Sequence, residues 1–150
     1  MKKKLLSLLL ALAMVFTLAA CGEKKPDPGK DATATEPVVI LHTNDVHGAI
    51  SGYAKVAALK KAYESEGAYV LILDAGDFSQ GDTAVSVSEG ATAVELMNMV
   101  GYDAVALGNH EFDYGFEALK KNMESAQFPV LAANVKYNGE LAFDDAAVFT

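Results

Sequence analysis

Three short stretches of this chain carry residues able to hold a metal ion or move a proton. The first is Asp45-Val46-His47-Gly48, the second Asp74-Ala75-Gly76-Asp77, and the third Gly108-Asn109-His110-Glu111-Phe112-Asp113. Asp45 and His47 are two apart, so in an extended segment their side chains point the same way and reach one ion, with Gly48 letting the chain turn away. A carboxylate beside an imidazole suits a borderline divalent metal such as Mn, Zn, Fe or Co. Chance, or a local hydrogen bond, would also produce that pair. Asp77 follows Gly76 and has two oxygens, enough to bridge two cations. Asp74 lies nearer the strand body and is expected to hydrogen-bond backbone or a neighbouring turn. Ser79 and Gln80 are expected to satisfy the loop. Asn109 offers a neutral carbonyl oxygen, or else serves as a turn residue after Gly108. Asp113 stands three residues after His110 and can accept from its imidazole if the segment is a helical turn, which would hold the tautomer and support the protonated form.

Each stretch follows an apolar run that ends beside a glycine. Pro37 to Leu41 predicts a first strand, apolar on both faces and therefore central and parallel. Gly52 to Glu66 predicts a helix with Val56, Leu59, Ala62 and Tyr63 on its apolar face, stopped by Gly67. Ala68 to Leu73 predicts a second strand. Ala91 to Val100 predicts a helix with Val94, Leu96, Met97 and Val100 inward and Gly101 as its stop. A strand over Asp103 to Leu107, a helix over Phe116 to Ala126 and a strand over Phe128 to Asn134 follow. Asn138-Gly139 predicts a turn, and Ala146 to Thr150 the start of another strand. Strand and helix alternate with short links, which argues an α/β fold of right-handed βαβ units on a mainly parallel sheet. Such a sheet delivers its functional residues to one edge, past the carboxyl ends of the strands. A last strand without its covering helix would leave that sheet open at one side, so the chain reads as the N-terminal piece of a longer protein.

The N-terminus reads differently. Met1-Lys2-Lys3-Lys4 is a positive start, and Leu5 to Ala20 is apolar except for Ser7 and Thr17. The stretch is short and ends in small residues, as a cleaved export signal does. Cys21, the single cysteine of the chain, sits at the cut point. Residues 1–20 therefore resemble a bacterial lipoprotein signal peptide. The resemblance implies lipid on Cys21 and a protein exported and anchored to the outer face of the bacterial cell membrane, or facing the periplasm or outer membrane where the host has one. An ordinary signal with an incidental cysteine is the alternative. One cysteine excludes a disulfide framework and a thiolate zinc site. Residues 21–36, with Pro26, Pro28 and Gly29, read as a flexible tether, leaving 37–150 as the folded part. The chain carries 12 basic and 20 acidic residues, a net charge of −8; loss of residues 1–20 removes three lysines and no acid, giving −11. Bulk electrostatics of that sign argue against a nucleic-acid polymer as partner, and a phosphate substrate would need a cation between it and the protein.

Taken together, Ile40-Leu-His-Thr-Asn-Asp-Val-His-Gly48, Gly76-Asp77-x-x-x-Gly81 and Gly108-Asn-His-Glu-Phe-Asp-Tyr-Gly115 resemble the first three motifs of the calcineurin-like metallophosphoesterases. More narrowly, they resemble the secreted 5′-nucleotidases, a group that includes UDP-sugar hydrolases and 2′,3′-cyclic-nucleotide phosphodiesterases. Phe128 to Val135 is similar to the segment that follows. The resemblance spans Val38 to Val135. It implies a metallophosphoesterase-type sheet sandwiched by helices, two divalent ions (Mn, Zn, Co, Mg or Ca), and a nucleotide or nucleotide-sugar substrate. Asp45 and His47 would bind the first ion, Asp77 would bridge, and Asn109 would bind the second. An activated water would attack phosphorus in line, with His110 on the phosphate and Asp113 as its partner.

The family leads one to expect further ligands in a Gly-x-His-x-His segment and a C-terminal nucleoside-binding domain. This chain has three histidines, His42, His47 and His110, and neither feature. His42, an odd number of residues from Asp45, is expected to face the other way and to be packed or hydrogen-bonded. As written, the chain holds about half the metal site and is expected to be inactive alone. The alternatives are a surface lipoprotein that keeps the fold without catalysis, and a phosphodiesterase of the same superfamily.

Overall fold

The computed structural model describes residues 36–149. The expected leader, Cys21 and nearly all of the tether lie outside them. Four parallel strands form one sheet in the order β1-β2-β3-β4: β1 Val38–Thr43, β2 Tyr69–Asp74, β3 Ala104–Ala106 and β4 Val130–Leu131. β1 and β2 run in register from Val38 opposite Tyr69 to Thr43 opposite Asp74. β3 and β4 extend the parallel arrangement. Between the strands lie α1 Ile50–Ser65, the short α2 Thr83–Val87, α3 Ala91–Val100 and α4 Phe116–Glu124. Sequential strands that are also spatial neighbours, joined by right-handed crossovers, carry their helices on one face. The burial agrees: Val39, Leu41, Val70 and Ile72 pack into the core, whereas Val38 and Ile40 on the opposite face are 62% and 59% exposed.

The core is built from Ile72 and Val105 on the sheet, Val94 and Met97 on α3, Leu119 on α4, and Phe78 and Val85 from the segment after β2. α3 begins after Gly90 and ends at Gly101, whose φ of 77° lets the helix close with Gly101 N–H donating to the Met97 carbonyl. That left-handed ending is the one glycine adopts without a Cβ penalty. α1 ends before Gly67 in the same way, with φ 83°. The Asn138-Gly139 turn joins β5 Lys136–Tyr137 to β6 Glu140–Leu141, with φ of 51° and 89° at its two central residues. Two successive positive φ values match the right-handed twist of a hairpin.

Several expectations are corrected. β1 is an edge strand among the described residues, not a central one, and alternate residues are exposed. A continuous apolar run shows that both faces are greasy; it does not show that both are covered. His42 lies on the exposed face and is itself exposed, not packed. On α1 the inward residues are Tyr53 and Val56, while Leu59 and Tyr63 are 49% and 37% exposed. Residues 146–149 form no strand; a single parallel bridge joins Leu131 to Asp144 instead. α2 was not anticipated, because a segment this short carries too little periodicity, whereas the helical turn on which the His110–Asp113 contact depended is present as a 3₁₀ turn at His110–Phe112.

Candidate metal centre

Because β1, β2 and β3 are parallel, the loops after Thr43, Asp74 and Ala106 leave the same edge of the sheet. They bring His47, Asp77 and His110 together; Asp45 stands beside His47 but is not a member of that cluster, and Asn109 joins it only as the exposed residue before His110. The carboxylate of Asp77 and one ring nitrogen each from His47 and His110 lie within 4.8 Å of one another. His47 Nε2 is 3.7 Å from Asp45 Oδ1. The rings of His47 and His110 meet edge to face, centroids 5.1 Å apart.

The route to this convergence differs from the extended segment expected. Asp45, His47 and Asp77 all have left-handed backbones, with φ of 51°, 45° and 62°. These are three of the five non-glycine residues with positive φ among those described. Such conformations cost of order 1–2 kcal/mol each and persist where the surroundings over-determine them. Here Asp45 N–H donates to the Gly76 carbonyl at 3.1 Å, His47 N–H to the Asp77 carbonyl at 3.0 Å, and Asp82 N–H to the His47 carbonyl at 3.0 Å. The side chains of Asp45 and His47 nevertheless meet. Phe78, fully buried beside Asp77, anchors that loop in the core.

The individual side chains are held as follows. His47 Nδ1 is 3.3 Å from Gln80 Oε1, which leaves Nε2 on the side of Asp45. Asn44 also contacts the Asp45 carboxylate. Asp77 Oδ1 accepts from His110 N–H at 2.9 Å. His110 opens a turn of 3₁₀ helix, so its Nδ1 reaches Asp113 Oδ2, three residues on, at 2.7 Å. That hydrogen bond raises the His110 pKa; partial burial opposes the rise, and the charges of Asp113, Asp77 and Glu111 add to it. Asn109 is exposed, directly before His110, with right-handed φ −75° and ψ −31°. It does serve as a turn residue, in right-handed geometry, its carbonyl accepting from Phe112 N–H at 3.2 Å. Asp74 accepts from Gly76 N–H at 2.8 Å, as expected, and from Thr43 Oγ1 at 2.5 Å; the hydroxyls of Thr43 and Tyr102 are 2.9 Å apart. Burial, chiefly, pushes the Asp74 carboxyl up to about 6.

Two features escaped the sequence reading. Glu111 is 2% exposed and accepts from four backbone N–H groups: Asp77 and Gly108 on Oε2, Phe78 and Ser79 on Oε1. Its sole signal was its place between two candidate residues. Glycines 76 and 108 are pressed together: a Cβ on Gly76 would fall 2.3 Å from Gly108 N, and one on Gly108 would fall 2.2 Å from Asp77 Oδ1.

The donor set fits a divalent ion. It combines imidazole with carboxylate oxygen, the mixture that borderline metals take. Ligand atoms about 2.0–2.2 Å from one ion stand at most about 4.4 Å apart, so the cluster is near closure.

Comparison with known proteins agrees with this geometry. The mouse (Mus musculus) 5′-nucleotidase is 36% identical over 140 residues, covering 81% of this chain and 24% of the relative. Protein UshA of Salmonella pullorum is 35% identical over 154 residues, covering 94% of this chain and 27% of the relative. The chain thus spans about a quarter of the length of these curated relatives. Among solved structures, the 5′-nucleotidase precursor from Thermus thermophilus is 34% identical with a TM-score of 0.58, covering 63% of this chain and 22% of that one. The calcineurin-like phosphoesterase YfkN of Bacillus subtilis is 29% identical with a TM-score of 0.61, covering 70% and 39%. Residues 38–146 match the calcineurin-like phosphoesterase family, and with the strand-end cluster in place the chain belongs to that family.

Proposed function

We propose that the protein hydrolyses phosphate esters of extracellular nucleotides, as a 5′-nucleotidase or UDP-sugar hydrolase does, with two divalent ions. The observation that carries this reading is the meeting of His47, Asp77 and His110 at the carboxyl ends of parallel strands. Relatives named 5′-nucleotidase support the substrate class. When bound, divalent ions supply positive charge to the phosphoryl oxygens and activate a water as nucleophile. Asp45 and His47 would hold one ion, Asp77 would be shared between the two, and Asn109 would offer its amide oxygen to the second. His110 belongs to the same cluster, and in this reading its free nitrogen, Nε2, would turn to the phosphate rather than to an ion, because Nδ1 is committed to Asp113. That bond fixes the ring and favours its charged form, so the imidazolium meets charge building on the phosphoryl group. The leader and Cys21 place the protein on the outer face of the membrane through lipid, in this same reading.

The test uses the intact gene product, a substrate panel and paired variants. Phosphate release is measured from a nucleoside 5′-monophosphate, a UDP-sugar and a 2′,3′-cyclic nucleotide, with and without chelator. His110→Ala should lower turnover far more than metal content, and Asp77→Asn should lower both. Equal metal loss in the two variants would make His110 a ligand instead. Cleavage of the cyclic diester alone would favour the phosphodiesterase alternative, and metal binding without any hydrolysis would favour a non-catalytic surface protein.

A further inference from the structure

We infer that Glu111 is a positioning residue: its buried carboxylate sets the distance between the Asp77 loop and the Asn109–His110 loop, and so tunes metal affinity without touching metal. The inference rests on the metal-centre reading above. One oxygen, Oε2, accepts from Asp77 N–H at 2.8 Å and from Gly108 N–H at 2.7 Å. A single atom thus ties the backbone of the bridging carboxylate to the residue just before Asn109. The other oxygen accepts from Phe78 N–H at 2.9 Å and Ser79 N–H at 3.0 Å, which holds the descent of Phe78 into the core. All four donors are main-chain groups, and the two loops they belong to are about 30 residues apart in sequence.

Glu111 lies among the candidate ligands in sequence but is not one of the residues of the metal cluster. Its side chain is turned inward, is 2% exposed, and both its oxygens are already engaged by N–H donors. Only a carboxylate supplies two oxygens with enough lone pairs for four donors in this arrangement. Glutamine would not substitute. Whichever way its amide turned, an NH₂ group would face two N–H groups, one pair or the other. The tie is also matched to the glycines. Gly76 and Gly108 permit the close approach, and Glu111 draws the loops into it. Partners that orient ligands from behind are worth about 10–100-fold in metal affinity.

The test titrates Mn²⁺ into the chelator-treated intact gene product, with free Mn²⁺ followed by its electron paramagnetic resonance, for wild type, Glu111→Gln and a control. The control is Met97→Ala, a truncation of a fully buried side chain on α3. Thermal unfolding in chelator is recorded for each. Glu111→Gln should unfold cooperatively and bind Mn²⁺ about 10–100-fold more weakly, while the control, at similar loss of melting temperature, binds like wild type. If Glu111→Gln fails to fold, Glu111→Asp is read in its place. It keeps both oxygens but withdraws them by one methylene, and should weaken Mn²⁺ binding with cooperative unfolding retained. Wild-type affinity in the folded Glu111 variant, or equal weakening in the control, would overturn the inference and leave the metal centre standing. A wild-type protein that binds no Mn²⁺ would overturn both.

Discussion

Asp74→Asn should make the protein less sensitive to rising pH. In the folded chain the Asp74 carboxyl is 4% exposed, and burial lifts its pKa from 3.8 to about 6. Hydrogen bonds from Thr43 and Gly76 pull it down, while the charges of Glu111 and Asp45 push it up. A carboxyl whose folded pKa is raised binds more protons folded than unfolded between those two values. Stability from this group is therefore full below about pH 3.8 and declines until about pH 6, after which it is level. At about 1.4 kcal/mol per pKa unit, the penalty reaches about 3 kcal/mol at neutral pH, of which about 2.4 kcal/mol develops between about pH 4 and about pH 7.5.

Asparagine keeps an oxygen for Gly76 and presents an NH₂ to the Thr43 hydroxyl, which then donates onward to Tyr102 in place of accepting from it. The variant thus retains the shape and loses the titration. Urea unfolding in chelator across that pH range should show the difference between variant and wild type moving in the variant's favour by about 2.4 kcal/mol. At a urea slope of about 1–3 kcal/mol/M, the midpoints should separate by roughly 1–2 M. A difference constant with pH would refute the reasoning, since burial would then not be opposing the charge. A difference moving the other way would mean that the two hydrogen bonds outweigh desolvation.

Two further outcomes follow from the same region. Gly108→Ala should cost about 1–3 kcal/mol and weaken divalent-ion binding, because its Cβ would arrive 2.2 Å from Asp77 Oδ1; calorimetric titration showing unchanged affinity would mean that the Asp77 carboxylate does not need its observed position. Tyr53→Phe should raise the melting temperature, corresponding to about 1 kcal/mol, because the Tyr53 hydroxyl is buried with no hydrogen-bond partner among the described residues; a fall of that size, read by calorimetry, would reveal a partner for the hydroxyl.

Much of the architecture was legible because it is written in local pattern. Apolar runs ending beside glycine marked β1, β2 and β3, and Gly67 and Gly101 marked helix ends. Asp45, His47, Asp77, Asn109 and His110 stood out as candidates by residue type and spacing, and the fold gathers His47, Asp77 and His110 of them; the i,i+3 relation placed Asp113 against His110. The sequence alone therefore determined an α/β chain with candidate ligands after its strands, since periodicity and turn chemistry act over a few residues.

Only the tertiary structure decided which face of β1 is covered, because Val38, Val39, Ile40 and Leu41 are alike in apolarity and differ in what packs on them. It alone decided that Asp45, His47 and Asp77 take left-handed backbones, since the hydrogen bonds that hold Asp45 and His47 there come from the neighbouring strand's loop. It alone gave Glu111 a partner set. A glutamate next to a histidine reads as one more surface charge until the fold brings three N–H groups from more than 30 residues away to meet it. Long-range hydrogen bonds leave no periodicity behind, so their physical effect is decided where the chain returns to itself.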